Sequence, residues 1–249
     1  MLHSAYSDKQ GNLWLATRSY GLEKAIFYDP NFKNILVNEN VHSAVNNDVR
    51  PIFQDSEKNI WIATKDEKIH IYDENLIKKG ILTQEGTIGK GPSLEGSAYC
   101  IIEDSKKNIW IGAKGRGVYK LTRKSNSNSF EIHHLFHRED DIYSLSNDNI
   151  YSIFEDRKGN IWVGTYGGGL NLIPEGKENS EIINTNNRLK NYPAKQGAQV
   201  RIIASDKNGN LCVGTTFGFI MFKEQFDMPE HIEFHVFRKN FDPGSIGAN

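Results

Sequence analysis

Short apolar and polar segments alternate along the whole chain, and they follow one another in a fixed order. An alternating run such as IYSIFE, residues 150–155, precedes the polar segment DRKGN and a second apolar run, IWVGT. Alternation with a period of two residues predicts β-strands, and the Asp, Gly and Asn between them predict a tight hairpin turn. No segment shows the helical period of 3.6, so the pattern predicts an all-β fold.

The same hairpin occurs five times at nearly constant spacing. Its opening aspartate stands at positions 8, 55, 104, 156 and 206, which gives spacings of 47, 49, 52 and 50 residues. A period of about 50 residues matches one four-stranded propeller blade. We therefore predict a β-propeller array of about five four-stranded blades. The predicted blades, numbered one to five in chain order, span residues 1–46, 47–96, 97–147, 148–198 and 199–249.

The repeat resembles that of the two-component regulator propeller family. The resemblance is carried by the phrase I-x-S-I-F-E-D-R-K-G-N-I-W-V-G-T-x-G-G-G-L and by the linker DDIYSLSNDNI at 140–150. It implies the extracytoplasmic, periplasmic sensor region of a bacterial hybrid two-component system, which recognises glycan-derived ligands or forms a signalling homodimer. Relatives carry longer arrays followed by a small β-domain, a membrane helix and kinase modules. We thus interpret the chain as a five-blade piece of such a sensor, or as a short paralogue.

Some copies depart from the repeat, and each departure carries an expectation. Lys58 and Lys107 stand where the other turns have Gly, which would cost about 1 kcal/mol each if the turn geometry is kept. A tryptophan occupies one position in the first four copies, where it is expected to pack between blades. Cys212 replaces it in the last copy, so blade five is expected to be looser. Segments 74–97 and 174–198 are predicted to be long outer loops.

Three consecutive glycines, Gly167, Gly168 and Gly169, raise the question of a phosphate-binding loop. Such a loop requires a helix whose N-terminus follows the glycines. Here the glycines precede LNLIPEGKEN, which has no helical period. They are predicted to form only the second hairpin turn of blade four.

Composition excludes several classes of protein. The net charge is -1 with 24% charged residues, whereas a nucleic-acid-binding domain is usually strongly basic. The sequence has no run of ~18 apolar residues that would indicate a membrane helix and no secretory signal pattern at its start. The two cysteines, Cys100 and Cys212, lie in strand-like runs and are expected to be unpaired and structural.

Candidate metal and catalytic residues have simpler structural interpretations. In a strand, His133 and His137 would lie roughly 13 Å apart, too far for one metal, so HHLFH is interpreted as an exposed outer strand. The calcium-like spacing DKNGN at 206–210 lacks the glutamate at position twelve, where Phe217 stands, and is interpreted as turn chemistry. Glu103 and Glu155 precede the turn aspartates and are interpreted as ordinary residues near a turn. No catalytic residue, metal site or cofactor is predicted.

One column of residues stands out as a candidate ligand site. The position five residues before each turn aspartate is polar or aromatic, and in a propeller it would surround one mouth of the central channel. Its members are His3, Arg50, Tyr99, Tyr151 and Arg201. The loops after the second strands add Arg18, Lys65, Lys114 and Tyr166. The alternative is that these are solvated strand ends.

Three functions follow as hypotheses. The first is a non-catalytic sensor propeller that binds an oligosaccharide or another small ligand, with arginines for an acidic group and tyrosines for sugar rings. The second is a propeller enzyme, a polysaccharide lyase or glycosidase, which requires acid and base residues gathered on one face. The third is a scaffold for protein interaction without a small ligand.

Overall fold

The computed structural model describes residues 2–7, 9, 13–17, 21–25, 36–37, 44–125, 128–177 and 181–238. The chain divides into two compact units, Met1–Leu36 and Val37–Asn249. The first unit holds one antiparallel sheet of three described strands, β1 (Leu2–Ser7), β2 (Leu13–Thr17) and β3 (Gly21–Ala25). The fourth strand predicted for blade one falls mostly outside the described residues.

The second unit contains four antiparallel sheets in which the strands follow one another in sequence order. Blade two consists of β4 (Val49–Gln54), β5 (Ile60–Thr64), β6 (Ile69–Tyr72), β7 (Lys78–Leu82) and β8 (Ile88–Gly89). Blade three consists of β9 (Ser97–Glu103), β10 (Ile109–Lys114), β11 (Gly117–Arg123) and β12 (Phe130–Leu135). Blade four consists of β13 (Ile150–Glu155), β14 (Ile161–Thr165) and β15 (Gly169–Ile173). Blade five consists of β16 (Val200–Ser205), β17 (Asn210–Thr215), β18 (Gly218–Lys223) and β19 (His235–Phe237).

The first strands of successive blades pack against one another, β4 on β9, β9 on β13 and β13 on β16. This places the first strand innermost in each of these sheets, as the propeller prediction requires. Helical structure in the described residues is confined to one short α-helix, α1 (Ala194–Gly197), and two 3-10 turns, Ala44–Asn47 and Pro229–His231. None of the described helices is long and apolar enough to cross a bilayer. The all-β prediction is confirmed.

The number of strands per blade differs from the prediction in two places. Segment 74–97 is not a plain loop, because β7 and β8 pair within it and give blade two five strands. Gly80 permits this pairing, since a Cβ there would lie 2.8 Å from the backbone of Gly89. Blade four has three strands among its described residues, and Ile183 makes only an isolated bridge with Leu172. Ile182 and Ile183 are both buried, so this irregular segment does the packing of an outer strand.

The repeated motif is explained by one set of contacts around its aspartate. In blade two, the Asn59 backbone N–H donates to Asp55 Oδ1 over 2.8 Å, and Asn59 Nδ2 and Trp61 Nε1 both donate to Oδ2 over 2.9 Å. Asp104 and Asp156 repeat these bonds in blades three and four. The spacing Asp-x-x-x-Asn-x-Trp is therefore the distance along the chain that closes one buried hydrogen-bonded turn.

The tryptophans also pack between neighbouring blades, as predicted. Trp61 of blade two meets Phe130 of blade three edge to face, with ring centroids 5.7 Å apart. Trp162 of blade four lies 5.0 Å from Phe222 of blade five. All four rings are buried, so these two joints between blades each have an aromatic component.

The turn geometry is kept where lysine replaces glycine. Lys58 and Lys107 have φ values of 66° and 69°, close to the 81° of Gly159 and the 74° of Gly209. A side chain in this left-handed region is strained by about 1 kcal/mol relative to glycine. The prediction that the turn keeps its geometry at the cost of strain is confirmed in blades two and three.

The three consecutive glycines form a hairpin turn between β14 and β15. Gly167 and Gly169 donate their N–H groups to the Ala198 carbonyl, and Gly168 donates to Thr165 Oγ1. A Cβ on Gly168 would lie 2.4 Å from Ser146 Oγ, which explains why glycine is needed there. The three N–H groups are thus engaged within the protein, and the turn prediction is confirmed.

Candidate functional site

The first strands bring the predicted column together in the second unit. Arg50, Tyr99, Tyr151 and Arg201 stand at the starts of β4, β9, β13 and β16, the strands that pack side by side. The Arg50 guanidinium lies 4.9 Å from the centre of the Tyr99 ring, and the Tyr99 and Tyr151 rings lie 4.6 Å apart. Four residues from four blades therefore form one continuous stack, which the sequence predicted only as a shared position.

Tyr166 joins the stack from the connection between β14 and β15. Its ring stacks on Tyr151 with centroids 5.2 Å apart, and the Arg201 guanidinium lies 4.7 Å from Tyr166 and 5.1 Å from Tyr151. We call the five residues Arg50, Tyr99, Tyr151, Tyr166 and Arg201 the ladder. It has an arginine at each end and three tyrosines between them, and cation–π attraction and ring stacking hold it together.

The backbone fixes the turn residues beside the column. Lys65 donates its N–H to the Asp48 carbonyl, and Tyr166 donates its N–H to the Asn149 carbonyl. Asp48 and Asn149 each stand two residues before the column residue of their own blade. Each turn is therefore attached just ahead of its own first strand, which places Tyr166 against Tyr151.

The two ends of the ladder differ in charge environment. Arg50 lies 3.6 Å from the Asp48 carboxylate, and Lys65 approaches the same carboxylate to 3.8 Å. Arg201 is exposed, and the described residues give it no ion pair. The Arg201 end therefore offers the less neutralised positive charge. Asp48 was missed in the sequence, although its position two residues before the column was available as a signal.

The Tyr151 hydroxyl keeps its proton beside its neighbours in the ladder. Burial, followed by the neighbouring Tyr99 hydroxyl, raises the pKa of Tyr151 above its ordinary value of 10.0, and Arg201 opposes this only in part. The phenol is thus protonated at neutral pH. Half-buried rings with protonated hydroxyls present an apolar face and a polar edge side by side.

The structure describes the remaining predicted site residues in less detail. Lys114 is exposed, and its backbone forms a bridge with Asn149 at the same end of the blades. His3 lies in β1 of the first unit, where only its backbone is described. Arg18 lies outside the described residues. The ladder thus holds five of the predicted residues, with Lys65 beside it through Asp48.

The glutamates considered for catalysis are occupied by structural bonds. Glu103 of blade three accepts hydrogen bonds from the Ser56 N–H and hydroxyl of blade two, over 2.8 and 3.0 Å. Glu155 of blade four binds Ser105 of blade three in the same way, over 2.8 and 2.6 Å. The interpretation as residues near a turn is confirmed, with the addition that each glutamate bridges to the preceding blade.

The metal-like motifs are likewise used in local contacts. His134 Nε2 contacts the Arg116 carbonyl, and His137 Nδ1 contacts the Leu145 carbonyl. Asp206 Oδ1 accepts the N–H groups of Asn208 and Asn210 over 2.8 and 2.9 Å, as turn chemistry requires. Across the described part of the chain, no three candidate ligands gather around one point. Cys100 and Cys212 are both unpaired, as predicted.

Comparisons with known proteins agree with the repeat and with the fold. The family model for the two component regulator propeller matches residues 43–66 and 144–167. No curated protein sequence matches the chain. The chain is similar to the extracellular domain of a hybrid two-component system from B. thetaiotaomicron, with 21% identity and a TM-score of 0.56 over 96% of this chain and 29% of that one.

Two further solved structures share the fold. One is PorZ, a surface component of the type-IX secretion system of Porphyromonas gingivalis, with 18% identity and a TM-score of 0.54 over 89% of this chain and 32% of that one. The other is virginiamycin B lyase from Staphylococcus aureus, with 12% identity and a TM-score of 0.51 over 95% of this chain and 70% of that one. This chain spans less than a third of the length of the first two proteins, and at these identities the likeness shows the propeller fold alone.

Proposed function

Because the chain carries two-component regulator propeller repeats, we propose that it is the ligand-binding part of an extracytoplasmic two-component sensor and has no catalytic role. The ligand is an acidic, glycan-derived molecule, and the ladder is its site. Signalling by a full sensor would involve a homodimer formed through the parent protein. Kinase activity would belong to other modules of that parent.

The ladder is the observation that carries this proposal. Three half-buried tyrosines supply ring edges and hydroxyls, which suit the apolar edges and hydroxyls of sugar rings. Arg201 supplies a planar set of N–H donors that matches a carboxylate or sulfate. Stacking on Tyr151 and Tyr166 orients that guanidinium before the ligand arrives, which lowers the entropic cost of binding.

The enzyme alternative has less support. A lyase or glycosidase needs acid and base groups free to reach one sugar, and Glu103 and Glu155 are each bonded to a serine of the neighbouring blade. Asp48, the carboxylate beside Arg50, is itself paired with both Arg50 and Lys65, so it is not free to reach a sugar either.

The test is a panel of neutral oligosaccharides, uronates and sulfated oligosaccharides, scored by the melting temperature of the full chain. A ligand at about 100 times its Kd should add roughly 2.7 kcal/mol of stability, which gives a measurable shift. Arg50→Ala and Tyr151→Ala should then weaken any hit, by about 1–3 kcal/mol for each lost bond. Lys207→Ala, at the far end of blade five, is the matched control. A hit whose affinity survives both ladder variants would place the ligand elsewhere.

A further inference from the structure

The outer strands of blade two border an open, basic cavity that the ladder does not include. Its volume is about 530 Å³, and it lies against β6, β7 and β8. Its walls combine lysines with glycines, one isoleucine and one histidine, and they include no carboxylate. The lining residues are Lys68, His70, Lys78, Lys79, Gly80, Ile81, Gly89, Lys90 and Gly91.

His70 is the unexplained group of this cavity. Its side chain is 2% exposed, and neither ring nitrogen has a hydrogen-bond partner among the described residues. Burial first, and then the charge of Lys78, lower the pKa of His70 to about 4, so the imidazole is neutral at physiological pH. A neutral imidazole carries one N–H donor, and a buried donor without an acceptor indicates that a further group belongs beside it.

The lysines around the cavity keep most of their donors free of internal bonds. Lys79 Nζ donates to Asn59 Oδ1 over 2.7 Å, and Lys78 Nζ donates to the Val37 carbonyl over 3.2 Å. Lys68 forms an ion pair with Asp66 at 3.0 Å. Each ammonium has three N–H groups, so one bond leaves two for another acceptor. Only Lys68 among these three is paired with a carboxylate, and the cavity therefore remains positively charged.

The glycines leave room for an occupant. A Cβ on Gly89 would meet no atom within 4 Å, so the space in front of that residue is open. Gly91 has a φ of 155°, which few side chains adopt. The strand edge there presents backbone and no side chain, which allows a ligand to approach closely.

We propose that this cavity binds a small molecule bearing a tetrahedral oxyanion, a sulfate or phosphate ester. Such a group has several acceptor oxygens directed to different sides, which suits ammonium groups arriving from separate strands together with an imidazole N–H. The cavity exceeds the size of the ion alone, and Ile81 with the lysine stems can contact the organic part of the ester. The proposal concerns a site separate from the ladder and stands independently of the sensor function.

The experiment is calorimetric titration of the full chain with sodium phosphate, sodium sulfate and sodium chloride at equal ionic strength. Glucose 6-phosphate, glucose 6-sulfate and glucose follow as the second series. We expect saturable heats with the two oxyanions, tighter binding of one ester, and none with chloride or glucose. The preferred ester identifies the source of the group. Heats that do not exceed those with chloride would overturn the proposal.

Variants locate the site. Lys90→Gln removes a charge from an exposed position and should weaken ester binding about tenfold or more, the usual effect of losing one charge-assisted bond. His70→Phe removes the N–H donor and should weaken binding similarly. Lys78→Gln replaces it as the second readout if His70→Phe does not fold. Lys207→Gln is the control with the same loss of charge. If Lys90→Gln binds as tightly as the wild type, and His70→Phe or Lys78→Gln does so as well, the anion binds outside this cavity.

Discussion

The Arg201 guanidinium lies 4.7 Å from the centre of the Tyr166 ring, although Arg201 is the second residue of the first strand of blade five and Tyr166 lies in a turn of blade four. The same guanidinium lies 5.1 Å from the Tyr151 ring. One arginine thus contacts two rings of the neighbouring blade. A planar guanidinium held on ring faces keeps its N–H edge for other partners. The joint between these two blades and the candidate ligand site therefore share the same side chains.

Replacement of Arg201 by lysine tests whether binding of an acidic ligand needs the planar guanidinium or only its positive charge. Lysine keeps the positive charge but loses the planar fork, so Arg201→Lys should weaken binding of an acidic ligand by about 1–3 kcal/mol. The measurement is titration with any acidic hit from the oligosaccharide panel. Arg50→Lys is the internal comparison and should lose less, because Asp48 already neutralises part of its charge. Equal losses in the two variants would contradict the assignment of Arg201 as the main anion contact.

Asp48 is expected to oppose acidic ligands. Its carboxylate lies within 4 Å of both Arg50 and Lys65, so Asp48→Asn frees two cations at one end of the ladder. The affinity for an acidic ligand should rise, and the rise should shrink in high salt, since these groups are exposed and screened. Titration at two salt concentrations checks this. A neutral oligosaccharide should show no change.

Lys107→Gly should stabilise the chain. The φ of Lys107 is 69°, and glycine adopts that value without the steric strain of a side chain, which gives about 1 kcal/mol. Urea unfolding of the variant would measure the gain as a higher midpoint with an unchanged slope. Lys106→Gly, the neighbouring position without a positive φ, serves as the comparison and should not stabilise. A destabilised Lys107→Gly would mean that the lysine side chain contributes more than the strain it causes.

Trp110→Phe should destabilise the chain by about 1–3 kcal/mol, because it removes one of the two donors to the buried Asp104 Oδ2 and leaves only Asn108 Nδ2. The indole Nε1 donates to Asp104 Oδ2 over 2.7 Å, and phenylalanine keeps the apolar ring but has no donor. Urea unfolding followed by far-UV circular dichroism gives the value. Phe130→Leu, at a buried aromatic without a hydrogen bond to the turn, gives the cost of lost packing between blades for comparison.

Stability at acid pH should depend on Asp55. Burial by itself raises the pKa of this carboxyl, but hydrogen bonds from Asn59, Trp61 and Arg123 outweigh it and hold the pKa below its ordinary value of 3.8. A depressed folded-state pKa gives stability that is complete above the unfolded value of about 3.9 and is lost as the pH falls through the folded value. The unfolding free energy should therefore fall below about pH 4, and less steeply in Asp55→Asn.

Measurement of that slope needs a control carboxyl. Asp140→Asn removes an exposed aspartate that does not belong to the repeated motif, and it serves as the matched control. The comparison uses unfolding free energies at several pH values for both variants and for the wild type. Parallel curves for Asp55→Asn and the wild type would show that the buried aspartate is not a source of acid sensitivity.

Blade five presents an apolar face that should favour self-association. Ile202 is 60% exposed there, whereas Ser152, its counterpart in blade four, is buried and accepts a hydrogen bond from the Ile203 N–H of the next blade. Ile202→Lys places a charge on this face and should reduce any concentration-dependent association seen by light scattering. Thr216→Lys, in the same blade, is the control. Association that persists in Ile202→Lys would point to another surface.

The inner hairpins were predictable because their determinants are local. Asp104, Asn108 and Trp110 lie within seven residues and complete one another, so each copy of the motif specifies its own turn. The outer strands depend on distant partners. Gly80 of β7 lies against Gly89 of β8 in a hairpin, and no residue of the repeated motif predicts that pairing. In blade four, Ile182 and Ile183 pack without forming a strand, so apolar content alone did not reveal the missing element.

The column of candidate-site residues could be predicted from the spacing of the strands, but the contacts between those residues could not. Alignment on the turn aspartates placed Tyr99 and Tyr151 at equivalent positions, and their rings touch because their strands pack side by side. The approach of Tyr166 to Arg201 depends on the rotation between two adjacent sheets, which is a property of the assembled blades. The partial neutralisation of Arg50 by Asp48 depends on side-chain direction, which a strand pattern does not specify.

The bonds from Glu103 to Ser56 and from Glu155 to Ser105 have a consequence for the way such arrays grow. Blade three carries both the acceptor, Glu103, for the blade before it and the donor, Ser105, for the blade after it, so a blade of this kind can be duplicated or deleted as a whole unit with both joints preserved. The junction between blades four and five breaks this rule. There Ser205 stands in place of the glutamate, and the Arg157 N–H donates to Glu224 instead. A blade inserted at this junction would need a carboxylate at the position of Glu224, directly after its third strand. The order of the blades is therefore fixed at this junction.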